Sequence, residues 1–243
     1  MKDFLQDLVA HTHSLGFLPL VKVTASSKGT SVESMAEDRS VILNAKTHNP
    51  VDGLDGVFGM PQLNKLDLHL KCPEYKEGAG INVVMQQRNG EDIPTGLHFQ
   101  NSTGDFENDY RFMTLEVITE KLKTVKFKGT TWDVEFEPTV TAIQRLKYQA
   151  AAHTEETVFQ VSTDNGNLVF KFGDASTHAG SFVFQRGVTG KLKQTWSWPV
   201  AQVQSILNLS GDKTVRIADA GALNITVDSG LATYDYILPA QSK

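Results

Sequence analysis

The amino-acid sequence predicts an α+β protein of two similar domains, each with mainly antiparallel sheets and two short helices. One observation is a repeat: a strand, a Gly turn, further strand-like sequence and a proline-initiated helix occur twice, with turns at Gly29 and Gly166 and prolines at Pro61 and Pro199. So long a repeat indicates tandem domains rather than a solenoid. The other observation is that strand-like segments outnumber helices, and two helices cannot cover both faces of that much sheet.

In the first half, apolar residues at helical spacing predict a helix over 3–15, which Gly16 ends. A second helix is predicted from Pro61 to about Leu70, with proline in its first turn. Strands are predicted at about 19–26, 30–36, 39–46, 81–88, 96–100 and 108–113, with a loop over 47–56. The lysine-containing stretch 114–129 has no clear period. We assign it as the connector between a first domain, 1–113, and a second domain, 130–243.

The second half repeats this order. A strand is predicted at 132–136, followed by a helix from Pro138 to about Ala151 and another helix from Pro199. The remaining strands are predicted near 157–163, 167–172, 180–187, 194–197, 213–218, 222–227 and 231–238.

Composition excludes several classes of protein. The 243 residues are 40% hydrophobic and 21% charged, as in a globular protein. No apolar run has the roughly 18 residues of a membrane helix, and the N-terminus lacks the apolar core of a signal peptide. The single Cys72 fits a reducing compartment, so we expect a cytoplasmic protein without a membrane partner. A net charge of −5 argues against a surface that is basic throughout, while leaving room for a local basic stripe.

Catalytic and metal-binding patterns are weak. His11 and His13 lie two positions apart on a predicted helix, where side chains diverge by about 200° and cannot share an ion. The segment 187–191 contains Gly and Lys but lacks the spacing and the hydroxyl residue of a phosphate-binding loop. Carboxylates are spread along the chain without a pair suited to acid–base chemistry. We therefore expect no catalytic site, no cofactor and no metal site.

The exposed faces of the predicted helices carry a different signal. For one helix, a polar face is normally just solvated. Three of the four predicted helices, however, present a cation or histidine there without a central carboxylate, which suggests contact with phosphate. The candidate DNA-binding residues are Lys2, His13, Lys65, His69, Arg145 and Tyr148.

Three segments together resemble the sliding-clamp family of DNA polymerase processivity factors, in particular the two-domain clamps: proliferating cell nuclear antigen (PCNA) and the T-even-type phage clamps. These segments are Gly29–Leu43, Asp109–Glu116 and Tyr234–Pro239. The resemblance implies a homotrimer closed head to tail into a ring around duplex DNA, bound without sequence preference. It also implies a DNA polymerase tail peptide and a clamp loader as partners, no catalytic site and, for a phage protein, the cytoplasm of an infected host cell.

The resemblance also assigns residues by position. A pocket for the partner peptide would lie between the domains, with an apolar, exposed C-terminal segment as one wall. Its residues would be Met35, Arg39, Val41, Ile42, Leu122, Val125, Tyr236, Ile237, Leu238 and Pro239. The subunit contact would pair the strand around 110–116 with the neighbour's strand around 181–186, through Tyr110, Phe112, Leu115, Phe182 and Phe184.

Two other classes remain open at this point. One is a non-enzymatic structural protein, of the virion type, built from a duplicated β-rich domain. The other is a sandwich that binds a small ligand. The basic connector fits either partner or phosphate contact.

Overall fold

The computed structural model describes residues 1–76, 78–88, 90–123, 127–176 and 178–241, and it forms two compact units. Unit 1 comprises Met1–Val125 and Ser229–Tyr234, and unit 2 comprises Lys126–Asp228 and Asp235–Lys243. The main division therefore falls inside the stretch 114–129. None of the helices in the described ranges is long and apolar enough to cross a membrane.

In its described residues, unit 1 contains three α-helices and two antiparallel sheets. The helices are α1 (Lys2–His11), α2 (Leu63–Lys71) and α3 (Leu115–Leu122). The strands are β1 (Val21–Ser26), β2 (Gly29–Met35), β3 (Ile42–Thr47), β4 (Gly56–Met60), β5 (Gly80–Arg88), β6 (Glu91–Gln100) and β7 (Glu107–Arg111). One sheet has the order β4-β1-β2-β3 and the other the order β5-β6-β7.

Unit 2 contains two α-helices, α4 (Val140–Ala152) and α5 (Val200–Leu207). Its strands are β8 (Val134–Phe136), β9 (Val158–Asp164), β10 (Asn167–Phe172), β11 (Gly180–Arg186), β12 (Trp196–Pro199), β13 (Asp212–Ala218), β14 (Ala222–Asp228) and β15 (Ala232–Pro239). They form the orders β11-β10-β9-β12 and β15-β14-β13-β8. The first residues of β15, 232–234, belong to unit 1, where they lie beside β3.

Both units follow the same plan, which confirms the predicted α+β class and the internal duplication. Each has a helix, four strands, a second helix and three strands, from α1 to β7 in unit 1 and from α4 to β15 in unit 2. The sheet orders also correspond, because β4-β1-β2-β3 repeats as β12-β9-β10-β11 and β5-β6-β7 repeats as β13-β14-β15. Thus β3 is the counterpart of β11, and β7 is the counterpart of β15.

Local sequence explains most of these elements. In α1 and α2 the apolar residues at helical spacing are buried, and α4 begins where the Thr139 side chain accepts a hydrogen bond from the Ala142 N–H at 3.1 Å. The turn between β9 and β10 is Asn165-Gly166, both with positive φ, as a tight hairpin requires. The apolar faces of these helices pack inward because burial removes them from water.

Helix α3 differs from the sequence-based prediction, which found no period in this stretch. Leu115, Ile118 and Leu122 lie on one face of this helix, a pattern of only two turns that the prediction missed; Ile118 and Leu122 are buried, whereas Leu115 and Val117 are exposed. The helix packs on β4 at Gly59, where an added Cβ would lie 2.7 Å from Cβ of Ile118. A glycine therefore makes this close approach possible.

Three smaller details of the prediction are wrong. The first helix ends at His11, and a short 3₁₀ turn at His13–Leu15 follows it. Strand β4 occupies 56–60, between the predicted loop and the predicted second helix, where no strand was expected. The predicted strand 108–113 ends at Arg111, and Leu115 opens α3 instead of extending that strand.

Asp7 anchors the segment 229–234 to α1 within unit 1. Its carboxylate accepts hydrogen bonds from the Ser229 hydroxyl at 2.9 Å and from the Tyr234 hydroxyl at 2.8 Å. Nδ1 of His11 lies 3.2 Å from the same carboxylate, and the His11 ring stacks on Tyr234 with centroids 4.3 Å apart. Burial tends to raise the pKa of Asp7, but its hydrogen bonds to His11, Tyr234 and Ser229 outweigh burial and lower it.

Candidate functional site

In unit 2, the helix pair α4 and α5 carries cations and no carboxylate of its own, although Glu156 lines a cavity together with Lys147. Arg145, Lys147 and Tyr148 are exposed on α4, while Ala142 and Leu146 on its other side are buried. Neither α4 nor α5 contains Asp or Glu, and the two helices are in contact. Exposed cations without competing carboxylates suit contact with phosphate oxygens, which carries affinity without sequence readout. Two predicted DNA-binding residues, Arg145 and Tyr148, lie on this surface.

In unit 1, the corresponding pair α1 and α2 has less free positive charge. Lys65 is exposed on α2, as predicted. Lys2 is half-buried, and its ammonium donates a hydrogen bond to the carbonyl oxygen of Tyr75 at 2.7 Å. The cation of Lys71 is paired with Asp67 at 2.6 Å.

The two histidines of the predicted DNA-binding set are half-buried. His69 packs against Phe99 with ring centroids 5.1 Å apart, and desolvation, followed by the charge of Lys65, lowers its pKa. His69 is therefore neutral at pH 7. His13 lies in the 3₁₀ turn after α1, so it is not on the same helix face as Lys2.

Three of the predicted partner-site residues meet at one cavity of unit 1. Met35, Arg39 and Leu122 line a cavity of about 450 Å³ between the end of β2, the turn that follows it and the end of α3. Arg39 is exposed and adopts a left-handed backbone conformation with φ of 59°. The cavity therefore combines an apolar lining with a cation at its rim.

The other residues of that predicted set do not form an exposed patch. Val41 and Ile42 are buried in unit 1, and Val125 lies outside the described residues. In unit 2, Tyr236, Ile237 and Leu238 are buried and Pro239 is exposed, so the expectation of an exposed apolar C-terminal segment is wrong. The reason is that this segment completes a sheet as β15, where Nε1 of Trp198 donates a hydrogen bond to the carbonyl oxygen of Leu238 at 3.1 Å.

Lys121 and Lys123 also line this cavity, and we did not single out either as a site residue from the sequence. The sequence-based prediction missed these lysines because it did not include α3. The end of this helix at Leu122 places both lysines at the same cavity as Arg39. Lys123 is the residue after the helix, and it has φ of 39°.

Each predicted subunit-contact strand lies at the end of a sheet. Strand β7 is an end of the order β5-β6-β7, and β11 is an end of the order β11-β10-β9-β12. End strands of this kind carry backbone N–H and C=O groups that can pair with another strand. The geometry of both strands therefore permits the predicted pairing, which stays a prediction.

The predicted side chains on these strands differ in exposure. Tyr110 is buried, its hydroxyl donates a hydrogen bond to the carbonyl of Pro61, and burial raises its pKa. Phe184 is buried and stacks on Phe170 at 4.2 Å. The partly exposed members of the set are Phe112, Leu115 and Phe182.

No arrangement for nucleophilic or metal chemistry is found in the described part of the chain. No group of three or more His, Cys, Asp or Glu side chains there could hold a metal ion. The cluster at Asp7 contains Ser, His and Asp, but the Ser229 hydroxyl donates to the carboxylate rather than to His11. A nucleophile–base pair needs a hydroxyl hydrogen-bonded to the base, so this cluster is a structural anchor.

Comparison with known proteins identifies the fold. No protein-family model and no curated protein sequence matches the chain. PCNA from Thermococcus kodakaraensis matches in structure with a TM-score of 0.67 at 12% identity, covering 99% of this chain and 97% of that one. A. fulgidus PCNA, in a structure with the C-terminal region of FEN-1 bound, matches with a TM-score of 0.69 at 11% identity, covering 100% and 95%. PCNA from Entamoeba histolytica matches with a TM-score of 0.64 at 10% identity, covering 99% and 94%. The chain therefore has the sliding-clamp fold.

Proposed function

We propose that this protein is a DNA sliding clamp, a non-enzymatic ring that encircles duplex DNA and tethers a replicative DNA polymerase to it. The observation that carries the proposal is the extent of the fold match, which takes in both units and nearly the full length of each PCNA chain. A ring needs both units, because in a head-to-tail contact a surface of one unit binds a different surface, on the other unit of the next copy. The rival readings, a structural protein and a ligand-binding sandwich, have no comparable observation in their favour.

The internal duplication supports a head-to-tail homotrimer. Strand β3 has the first residues of β15 as a neighbour, whereas its counterpart β11 ends a sheet in the described structure. Strand β7 also ends a sheet in the described structure. Pairing of β7 from one copy with β11 of the next would supply the missing neighbour of each. Such a contact is heterologous, so it must close into a ring or run on as a filament.

The proposed DNA contact is made by the helix pairs, and the surface of α4 carries most of it. Arg145 and Lys147 are exposed at opposite edges of the solvent-facing side of α4, and Tyr148 lies between them. Phosphate contacts of this kind bind every sequence alike, so they hold DNA without stopping the ring from sliding.

The proposed partner site is the cavity at Met35, Arg39 and Leu122. In A. fulgidus PCNA, the C-terminal region of FEN-1 is bound, so a clamp of this fold can bind the tail of a partner protein. We propose that a polymerase tail binds this chain in the same general way. A clamp loader that opens the ring, and location in the cytoplasm where replication takes place, complete the proposal.

Two measurements test the proposal. Light scattering is expected to give the mass of three 26.7 kDa chains, about 80 kDa. The ring, loaded onto circular duplex DNA by its loader, is expected to stay bound in salt that screens phosphate contacts and to leave when the circle is cut. Release that depends on cutting distinguishes encirclement from ordinary electrostatic binding.

A variant at the strand end provides the matched control. Val183→Pro removes a backbone N–H from β11 and is expected to leave monomers, whereas the same change in a loop, Ala179→Pro, is expected to leave the trimer intact. Circular dichroism would check that both variants fold. A folded wild-type protein that stays monomeric at high concentration, or that leaves circular and cut DNA equally fast, would contradict the proposal.

A further inference from the structure

The partner cavity adjoins a second cavity of unit 1, with which it shares lining residues. The second cavity, of about 500 Å³, lies between the start of α2 and strand β7, and Gln62, Lys65 and Arg111 contribute to its lining. Both cavities are lined by the same three residues, Pro19, Leu20 and Lys121. We call these two adjoining cavities, from Arg39 to Lys65, the basic groove.

Positive charge dominates the basic groove, although the whole chain has a net charge of −5. Its cations are Arg39 and Lys123 in the first cavity, Lys65 and Arg111 in the second, and Lys121 in both. All five are exposed. The carboxylates are Glu37 and Asp109, and Asp109 is already paired with His98 at 2.9 Å and with Arg111 at 3.3 Å. The groove therefore has an excess of cations over carboxylates.

Backbone strain is concentrated along the same groove. Four non-glycine residues in the described part of the chain have positive φ, and Arg39, Gln62 and Lys123 are three of them. The fourth, Asn165, sits in a hairpin turn, where asparagine readily adopts this conformation. A long side chain in the left-handed region costs free energy relative to glycine, and such positions cluster at binding sites. Two of these three residues place a cation on the groove.

The lining between the cations favours a peptide over single-stranded nucleic acid. Pro19, Leu20, Met35 and Met113 supply apolar surface that is partly exposed. Proteins that bind single strands without sequence preference stack bases on exposed aromatic rings. The aromatic lining residue other than histidine, Tyr110, is buried, and His69 is half-buried against Phe99. Apolar side chains of a peptide could contact this surface, whereas bases find no open ring to stack on.

We propose that the basic groove binds an acidic peptide, an extended segment with apolar anchors flanked by Asp or Glu. The apolar anchors contact the lining at Leu20 and Met35, and the carboxylates face Arg39, Lys121 and Lys123. This inference rests on the proposed function, because it describes the chemistry of the polymerase tail for which the partner site was proposed. The proposed peptide site is the first cavity, because Arg111 of the second cavity lies on β7, the strand proposed for the subunit contact.

The test compares synthetic peptides of opposite charge. Two fluorescein-labelled peptides share the same apolar anchors, and one carries Glu where the other carries Lys. The acidic peptide is expected to bind the intact protein about tenfold more tightly in low salt, and the difference should shrink as salt screens the charges. In Arg39→Glu/Lys121→Glu/Lys123→Glu, binding of the acidic peptide is expected to weaken by about tenfold or more.

Lys28→Glu is the matched control, because Lys28 is an exposed lysine of the same unit at the turn between β1 and β2. It is expected to bind the acidic peptide like the wild type. Arg39→Gln/Lys121→Gln/Lys123→Gln removes charge without adding carboxylates and should show an intermediate loss. The proposal is overturned if the basic peptide binds as well as the acidic one, or if charge reversal has no effect. It is also overturned if a single-stranded oligonucleotide competes for the groove more strongly than the acidic peptide.

Separate measurements distinguish this inference from the proposed function. Trimer mass and retention on circular DNA, measured without polymerase, are expected to be unchanged in the groove variants. Selective binding of the acidic peptide by a protein that forms no ring would support the groove and contradict the clamp. A ring that retains DNA but binds neither peptide would support the clamp and overturn the groove.

Discussion

The two helix pairs have the same place in the duplicated fold but different charges. In unit 1, α1 and α2 contain the carboxylates Asp3, Asp7 and Asp67 as well as lysines. In unit 2, α4 contains Arg145 and Lys147, and neither α4 nor α5 contains a carboxylate. The cations of unit 1 are also more often engaged, since Lys2 is bonded to a carbonyl and Lys71 to Asp67.

This difference shows how a duplicated domain can divide its tasks. In unit 1, Asp7 holds the segment 229–234 through Ser229 and Tyr234, so a negative charge on α1 has a structural role. Among the described residues of unit 2, no carboxylate is bonded to Arg145 or Lys147, so the α4 surface keeps its positive charge. We therefore expect duplex DNA to contact unit 2 more strongly than unit 1.

Charge reversal on α4 is expected to have the largest effect. Arg145→Glu/Lys147→Glu should weaken binding of a short DNA duplex on the order of a hundredfold at low salt, because each copy in a ring loses two phosphate contacts. The matched variant in unit 1, Lys65→Glu/Lys71→Glu, should weaken it by about tenfold or less, since Lys71 is already paired. Fluorescence anisotropy against salt concentration measures both. Equal losses in the two variants would remove the asymmetry.

The second prediction concerns the anchor at Asp7. Asp7→Asn is expected to lower the free energy of unfolding by about 1–3 kcal/mol at pH 7, because two hydroxyls and His11 lose a charged acceptor. The folded-state pKa of Asp7 lies below its ordinary value of 3.8, so its stabilisation is present above that value. It is lost as the pH falls through the folded-state pKa.

Denaturant unfolding as a function of pH measures this effect. The wild type should lose its advantage over Asp7→Asn as the pH is lowered into the acid range. Asp3→Asn is the control, because Asp3 is exposed on the same helix. If Asp3→Asn destabilised the protein as much as Asp7→Asn, the effect would come from the helix terminus and not from the anchor.

The smallest expected effect is at His69. Because burial and Lys65 lower its pKa below the ordinary 6.5, His69 adds no positive charge to α2 at neutral pH. His69→Gln should therefore change duplex affinity by less than about twofold at pH 7. Affinity measured from neutral pH down to the ordinary histidine pKa should follow the same curve in both proteins. A rise in wild-type affinity over this range that His69→Gln abolishes would show that the histidine is charged when DNA binds.

The local sequence was sufficient to predict most strands and helices of both units. Alternation, Gly turns and helical spacing are short-range signals, and the side chains that carry them, such as Leu63 and Leu66 in α2, are buried as predicted. The exceptions depend on contacts over longer distances. Helix α3 has only two buried positions, Ile118 and Leu122, and it is held by close packing on Gly59 in a strand distant in sequence. Leu115, Ile118 and Leu122 do lie at helical spacing, but this two-turn pattern does not specify the contact with Gly59.

By itself, the sequence determined that the chain is duplicated, that it is α+β, and that cations lie on exposed helix faces, because period and charge are properties of neighbouring residues. Tertiary packing sets which of those residues are exposed and can bind a partner. In the folded protein, the Lys2 ammonium donates a hydrogen bond to a carbonyl oxygen, and Leu238 is buried in a sheet. Tertiary packing also brings Arg39, Lys121 and Lys123 to one cavity. Burial, hydrogen-bond partners and cavities arise where distant segments meet, so a sequence pattern alone does not specify them.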